Sequence, residues 1–85
     1  MLRLELTRDA QKFLDRLPPK QFRQVVQKIF SLLQDPTPHD SKQLKGYQFL
    51  RVDIGEYRVV YDVNEGALRL IVGGKRNDDE VYKKA

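Results

Sequence analysis

The chain has no cysteine, no tryptophan and a single histidine, His39. Without thiols there is no disulfide scaffold, no thiolate metal site and no cysteine nucleophile, which fits a reducing compartment. One histidine excludes a His-pair zinc site, so neither a metal nor another cofactor is expected. The phosphate loop G-x-x-x-x-G-K-[ST], the G-x-S-x-G elbow and the H-E-x-x-H helix are all missing. No apolar run approaches the ~20 residues of a membrane span, and residues 1–17 are too charged for a signal peptide. The expectation is a small, soluble, cytoplasmic protein with no membrane partner.

What is present is one domain's worth of chain, 85 residues of which 40% are hydrophobic and 33% charged. The charges are interleaved with apolar residues, which argues for one folded core over disorder. Lys and Arg number 16 against 12 Asp and Glu, a net charge of +4. The excess is uneven: residues 1–34 carry seven cations and three anions, while residues 35–85 carry nine of each. A basic domain favours polyanionic partners through phosphate contacts and counterion release.

Leu2, Leu4 and Leu6 alternate with Arg3 and Glu5, the period-two pattern of a half-buried strand. Thr7 then suits a helix N-cap, with Asp9 in the first turn where the helix dipole favours an anion. Ala10, Phe13, Leu14 and Leu17 recur on one helix face. Arg8, Lys12 and Arg16 fall four apart on another, readable as a solvated stripe or as an RNA-contacting ridge. Pro18-Pro19 breaks this helix, and Pro19 suits the first turn of the next. There Phe22, Val25, Val26, Ile29 and Leu33 align, with Phe30 and Leu32 widening the apolar face. Asp35-Pro36 ends it, because the residue before proline is pushed out of the α region. Residues 35–46 read as a polar loop, with His39 on its surface.

From Tyr47 onward the pattern is that of strands. Leu50, Val52 and Ile54 share one face, and Phe49, Arg51 and Asp53 the other. Gly55-Glu56, with glycine first, suits a type II′ hairpin. Tyr57, Val59, Tyr61 and Val63 then alternate with Arg58, Val60 and Asp62. Asn64-Glu65-Gly66 makes a second tight turn before a third strand, nearly continuously apolar at Leu70–Val72 and so interior. The tail from Lys75 has room for one helical turn capped by Asn77. The expected layout is β-α-α-β-β-β: an α+β domain over residues 1–85, with a twisted, mainly antiparallel sheet and an N-terminal helical hairpin packed on it. The partner of the first strand is left open.

The residues with chemical potential are cations and one phenol. A turn at 55–56 sets Asp53 opposite Arg58 and Arg51 opposite Val60, so all four share a sheet face. Lys75-Arg76 leaves the next strand, and Tyr82 follows six residues later. Guanidinium forks around one concavity would hold a phosphate and stabilise a pentavalent transition state. The plainer reading of the same spacing is that Arg58 pairs with Asp53 or Asp62 and that Tyr82 packs.

Along its whole length the sequence resembles the RelE/ParE toxin superfamily. The resemblance runs from Leu4-Glu5, Ala10, Phe13 and Leu14 through Leu33-Gln34-Asp35-Pro36 to Lys42-Gln43-Leu44-Lys45-Gly46. It is strongest over Arg51-Val52 and Gly55-Glu56-Tyr57-Arg58-Val59-Val60-Tyr61, and closes with Gly74-Lys75-Arg76 and Glu80-Val81-Tyr82. The closing pair points to the RelE branch and away from the gyrase-poisoning ParE branch.

The resemblance implies a RelE-like fold and the toxin of a type II toxin–antitoxin module. On the RelE branch that means a metal-independent, ribosome-dependent mRNA endonuclease cutting A-site codons. The 2′-OH attacks the adjacent phosphate, leaving a 2′,3′-cyclic phosphate and a 5′-OH. The alternative is a ParE-like inhibitor of DNA gyrase without RNase activity, or a degenerate binding module. The implied partners are a RelB-like antitoxin whose acidic segment wraps the toxin, the 70S ribosome A site with its mRNA, and operator DNA through the antitoxin complex. Arg58 matches the arginine that binds the scissile phosphate, and Arg76 the one associated with transition-state charge and the leaving 5′ oxygen. Tyr82 matches the tyrosine that stacks on or deprotonates near the attacking nucleotide, and Arg51 stands where the family has a phosphate-contacting lysine. Arg8, Lys12, Arg16, Lys42 and Lys45 are the expected RNA-binding set. In one departure, Asp53 occupies the place of a proposed general-base lysine. Asp53 itself or Lys75 is then a candidate base, and electrostatic stabilisation by Arg58 and Arg76 is expected to outweigh either.

Overall fold

The computed structural model describes residues 1–44 and 48–76. In chain order the elements are β1 (Arg3–Leu6), α1 (Arg8–Asp15), α2 (Pro19–Gln34), β2 (Lys42–Gln43), β3 (Leu50–Ile54), β4 (Tyr57–Asn64) and β5 (Ala67–Lys75). Thr7 sits between β1 and α1 in an extended conformation, and its Oγ1 accepts the Ala10 N–H at 3.1 Å. That satisfies one of the donors a helix start leaves unpaired, worth about 1 kcal/mol. Arg16 caps α1, just before the Leu17-Pro18 step where proline disfavours helical geometry. Helix α2 starts on Pro19, whose missing N–H is not needed there. It ends at Gln34, and Asp35 leaves the helical region ahead of Pro36.

The five strands form one sheet in the order β1-β5-β4-β3-β2. Strand β1, whose partner the sequence left open, runs parallel to β5, with Arg3 opposite Ala67 and Leu6 opposite Leu70. The other pairings are antiparallel, with Arg51 opposite Val60 and Asp53 opposite Arg58 as the turn at 55–56 requires. In that turn Gly55 has φ +59° and Glu56 has no positive φ, the type II′ arrangement. In the 65–66 turn both central residues have positive φ, 52° at Glu65 and 79° at Gly66, as in type I′.

Strand β2 corrects the reading of 35–46 as a loop. Lys42 pairs with Arg51 and Gln43 with Leu50. Two polar residues joined to a sheet edge by backbone bonds have no apolar alternation to announce them. The preceding segment is tied down: the Tyr61 hydroxyl donates to the Pro36 carbonyl at 2.6 Å, and Lys28 Nζ donates to Asp40 Oδ2 at 2.9 Å. His39 is exposed, as expected.

The main core lies between the helices and one sheet face. Ala10, Leu14, Val25, Ile29, Leu32 and Leu33 pack against Val52, Val59, Tyr61, Leu68 and Leu70. The sequence suggested a single core, but the far face has its own smaller cluster, Val60 and Val72 with Leu44, Phe49 and Ile71 around them.

This second cluster exists because β5 breaks step. Val60 faces Val72 while the next residue, Tyr61, faces Leu70, so Ile71 is an extra residue and forms a β-bulge. Leu70 packs toward the helices, Ile71 and Val72 toward the far side, and Gly73 back against the Phe13 ring. Among the described residues, no helix is long and apolar enough to cross a membrane. The helical turn expected from Asn77 lies outside the described residues.

Candidate functional site

The far face of β3 and β4 carries the charged group that the register sets together. Arg58 grips Asp53 with two bonds, Nε to Oδ1 at 2.6 Å and Nη2 to Oδ2 at 3.2 Å. Arg51 approaches the same carboxylate, Nη1 to Oδ1 at 4.0 Å. The Arg58 side chain is 15% exposed and that of Asp53 35%, so the pair is partly withdrawn from water. Hydrogen bonding by Arg58 holds the Asp53 carboxyl below the ordinary carboxylate range; burial opposes this, and the charges of Arg58, Arg51 and Arg76 reinforce it. Arg76 follows directly on β5, two residues after the Gly74 that stands opposite Arg58, near enough for its charge to act on Asp53. Its backbone N–H donates to the Glu56 carbonyl at 2.9 Å, fixing the chain where it leaves β5. Lys42, opposite Arg51 on β2, shares the same face.

Three guanidinium charges therefore act on one carboxylate, with Lys42 on the same sheet face, above a floor formed by buried Val60 and Val72. Such a site favours an anion, and its apolar floor lowers the local dielectric and strengthens each charge interaction. Among the described residues no group of His, Cys, Asp and Glu is arranged to hold a metal ion.

The expected residues divide between the two faces. Arg51, Asp53 and Arg58 come together, Lys42 stands on the same face opposite Arg51, and the charge of Arg76 acts on the group. Lys75, a candidate base, does not: it lies opposite Tyr57 and lines a cleft of about 520 Å³ on the helix side. Strand alternation sends it there, one position away from Arg76. Lys12 and Arg16 line the same cleft beside Phe13, whose ring meets Tyr57 edge-on at 5.9 Å between centroids. Arg8 is exposed on α1. The stripe of Arg8, Lys12 and Arg16 therefore belongs to the helix layer, apart from the Arg58 group. Arg16 is also the cap of α1 and not one of its helical residues. Tyr82 and Lys45 lie outside the described residues. Sequence reasoning missed the Ile71 bulge, whose only trace is a run of three β-branched or leucine residues with no change of polarity.

Comparison with known proteins places the chain among toxins. Residues 4–73 match the family described as the ParE toxin of type II toxin–antitoxin systems, parDE. That match ends just before Gly74-Lys75-Arg76. No curated protein sequence matches the chain significantly. Among solved structures, the isolated E. coli RelE toxin is similar at a TM-score of 0.81 and 25% identity, over 99% of this chain and 94% of that one. The archaeal RelE–RelB complex from Pyrococcus horikoshii OT3 gives a TM-score of 0.78 and 25% identity, over 88% of this chain and 94% of that one. The intact E. coli RelBE toxin–antitoxin complex gives 0.79 and 24%, over 88% and 96%.

Proposed function

The chain belongs to the RelE/ParE superfamily as a toxin of a type II toxin–antitoxin system, and from that premise we propose that it is a metal-independent, ribosome-dependent mRNA endonuclease. The observation that carries this reading is the far-face group of Arg51, Arg58 and Arg76 around one anion, with Lys42 alongside.

Asp53 marks where an anion sits in that group. A scissile phosphate entering the site takes over the Arg58 fork, which suits two phosphate oxygens as well as it suits a carboxylate. The 2′ oxygen of the ribose attacks phosphorus, a new P–O2′ bond forms, and the P–O5′ bond breaks. Charge on the non-bridging oxygens peaks midway, and Arg58, Arg51 and Arg76 oppose it. Arg76, at the exit of β5, is assigned to stabilise the leaving 5′ oxygen, which takes a proton from water to become the 5′-OH. Removing one such donor typically costs about 10²–10³ in rate.

The proton of the 2′-OH has few acceptors. Guanidinium groups stay protonated throughout the working pH range and are poor bases. Asp53 is ionised but its pKa is depressed, which makes it a weak base. Lys75 is on the wrong face. Tyr82 is assigned by resemblance to stacking on the attacking nucleotide or receiving its proton. Electrostatic stabilisation then outweighs base catalysis.

The partners follow from the same charges. The ribosomal A site offers RNA to the basic surface, so toxin–ribosome affinity falls steeply with salt. A RelB-like antitoxin with an acidic segment covers the cations, and the complex contacts operator DNA through the antitoxin. Phe22 and Phe30, 43% and 58% exposed on α2, offer an amphipathic segment an apolar hold. The site of action is the cytoplasm, and the unit is a single domain over residues 1–85.

A second reading is favoured by the Arg58–Asp53 pair: a closed fork fits a ParE-like inhibitor that binds DNA gyrase and cuts nothing. Inducing the protein and mapping 5′ ends of cellular mRNA separates the two. Codon-phased cuts confined to translated messages support the nuclease. Double-strand DNA breaks with intact messages support gyrase, and neither outcome leaves a degenerate binding module.

A further inference from the structure

We propose that Thr7 is a positioning residue for Arg76: its hydroxyl locks the bulge at Ile71, and the bulge turns Arg76 onto the face that holds Arg58.

Parity requires some such device. In an uninterrupted strand, residues 70, 72, 74 and 76 share one face. Leu70 belongs to the helix-side core, so an unbroken β5 would put Gly74 on the helix side too, and Arg76, just past the end of the strand at Lys75, would leave toward the helix-side cleft of Lys12 and Arg16. One extra residue at 71 reverses every position after it. Val72 joins the far cluster, Gly73 meets Phe13, Gly74 stands opposite Arg58, and the charge of Arg76 reaches Asp53.

Thr7 fastens that extra residue. Its Oγ1 donates to the Ile71 carbonyl, its backbone N–H donates to the Leu70 carbonyl at 3.1 Å, and the same Oγ1 accepts the Ala10 N–H at 3.1 Å. One hydroxyl thus serves a carbonyl at the bulge and a donor at the start of α1. Gly73 accommodates the reversed phase without fixing it, because a Cβ there would overlap the Phe13 ring. Where it concerns cleavage, the role of Thr7 rests on the nuclease reading above; where it concerns the direction of Arg76, it does not.

The test uses the full chain with Thr7→Ser, Thr7→Asp and Thr7→Val. Serine keeps both bonds. Aspartate can still accept the Ala10 N–H as a cap but has no proton for the Ile71 carbonyl. Valine loses both. On translating ribosomes, Thr7→Ser stays within about twofold of the parent, while Thr7→Asp and Thr7→Val lose at least about tenfold in kcat with KM unchanged. A purely structural role would instead make the loss of activity track melting temperature and vanish for each variant at temperatures where it is fully folded. A Thr7→Asp protein cutting at the parental kcat overturns the assignment.

A second readout needs no catalysis. The Asp53 carboxyl is titrated by NMR in the parent, Thr7→Ser and Thr7→Val proteins. With Arg76 turned away, its midpoint moves to higher pH in Thr7→Val and stays in place in Thr7→Ser. An unmoved midpoint in folded Thr7→Val also overturns the assignment. If the parent cuts no message, the nuclease reading fails and the Asp53 titration alone decides the role of Thr7.

Discussion

The two faces of this sheet are made from the same strands and do opposite work. The helix-side face buries Val52, Val59, Tyr61, Leu68 and Leu70 under two helices. The far face keeps a smaller apolar floor and gathers Arg51, Asp53, Arg58, Arg76 and Lys42 above it. Stability is concentrated on the first and charge on the second, because a strand can present a different chemistry on each side at no conformational cost. Among the described residues, β5 is the strand that crosses the division, at its bulge.

If that separation is real, substitutions on the two faces fail in different ways. The largest effect expected is on the helix side. Leu68→Ala, in a fully buried position, should cost about 3–5 kcal/mol in denaturant unfolding and take activity with it. Arg58→Lys keeps the charge and loses the fork; cleavage should fall about 10²-fold while the unfolding midpoint moves little. Loss of both together would merge the faces into one cooperative unit and break the comparison.

Gly73→Ala probes the crossing point. Its new Cβ meets the Phe13 ring, so stability should drop by about 1–3 kcal/mol, read from urea midpoints. An unchanged midpoint would mean that Phe13 moves aside freely and that the strand phase is not held there.

The smallest effect belongs to Asp53→Asn. Removing one anion from the site should tighten RNA binding roughly fivefold, from about 1 kcal/mol of relieved repulsion. The same variant has a pH signature. The pKa of Asp53 is depressed in the folded protein, so its pairing contributes fully above the ordinary value of 3.8 and is lost as pH falls from there through the folded value. The parent should therefore lose more stability than Asp53→Asn on acidification below that point, measured by unfolding at a series of pH values. Parallel curves would mean that the Arg58–Asp53 pair is open in solution.

Much of this architecture was legible in the residues. Period-two alternation placed Arg51, Asp53 and Arg58 on one face, and glycine at 55 set their register. Thr7, Pro19 and Asp35-Pro36 marked the helix boundaries through capping and proline sterics. What was not legible depended on contacts far apart in sequence. The parallel pairing of β1 with β5 joins residues more than sixty positions apart, and no local pattern encodes it. Strand β2 is two polar residues paired to the sheet edge, with no apolar alternation to reveal it. The bulge at Ile71 sits in an apolar run where either phase looks the same, so the split between Arg76 and Lys75 became visible only when the neighbours were in place.

Single-turnover cleavage of an mRNA on programmed ribosomes, comparing Arg76→Ala with Asp53→Ala, weighs charge stabilisation against base catalysis directly. Arg76→Ala should be slower by about 10²–10³ and Asp53→Ala by far less, with a 2′,3′-cyclic phosphate on the product in each case. The opposite order would make Asp53 the base and remove the arginines from the centre of the mechanism.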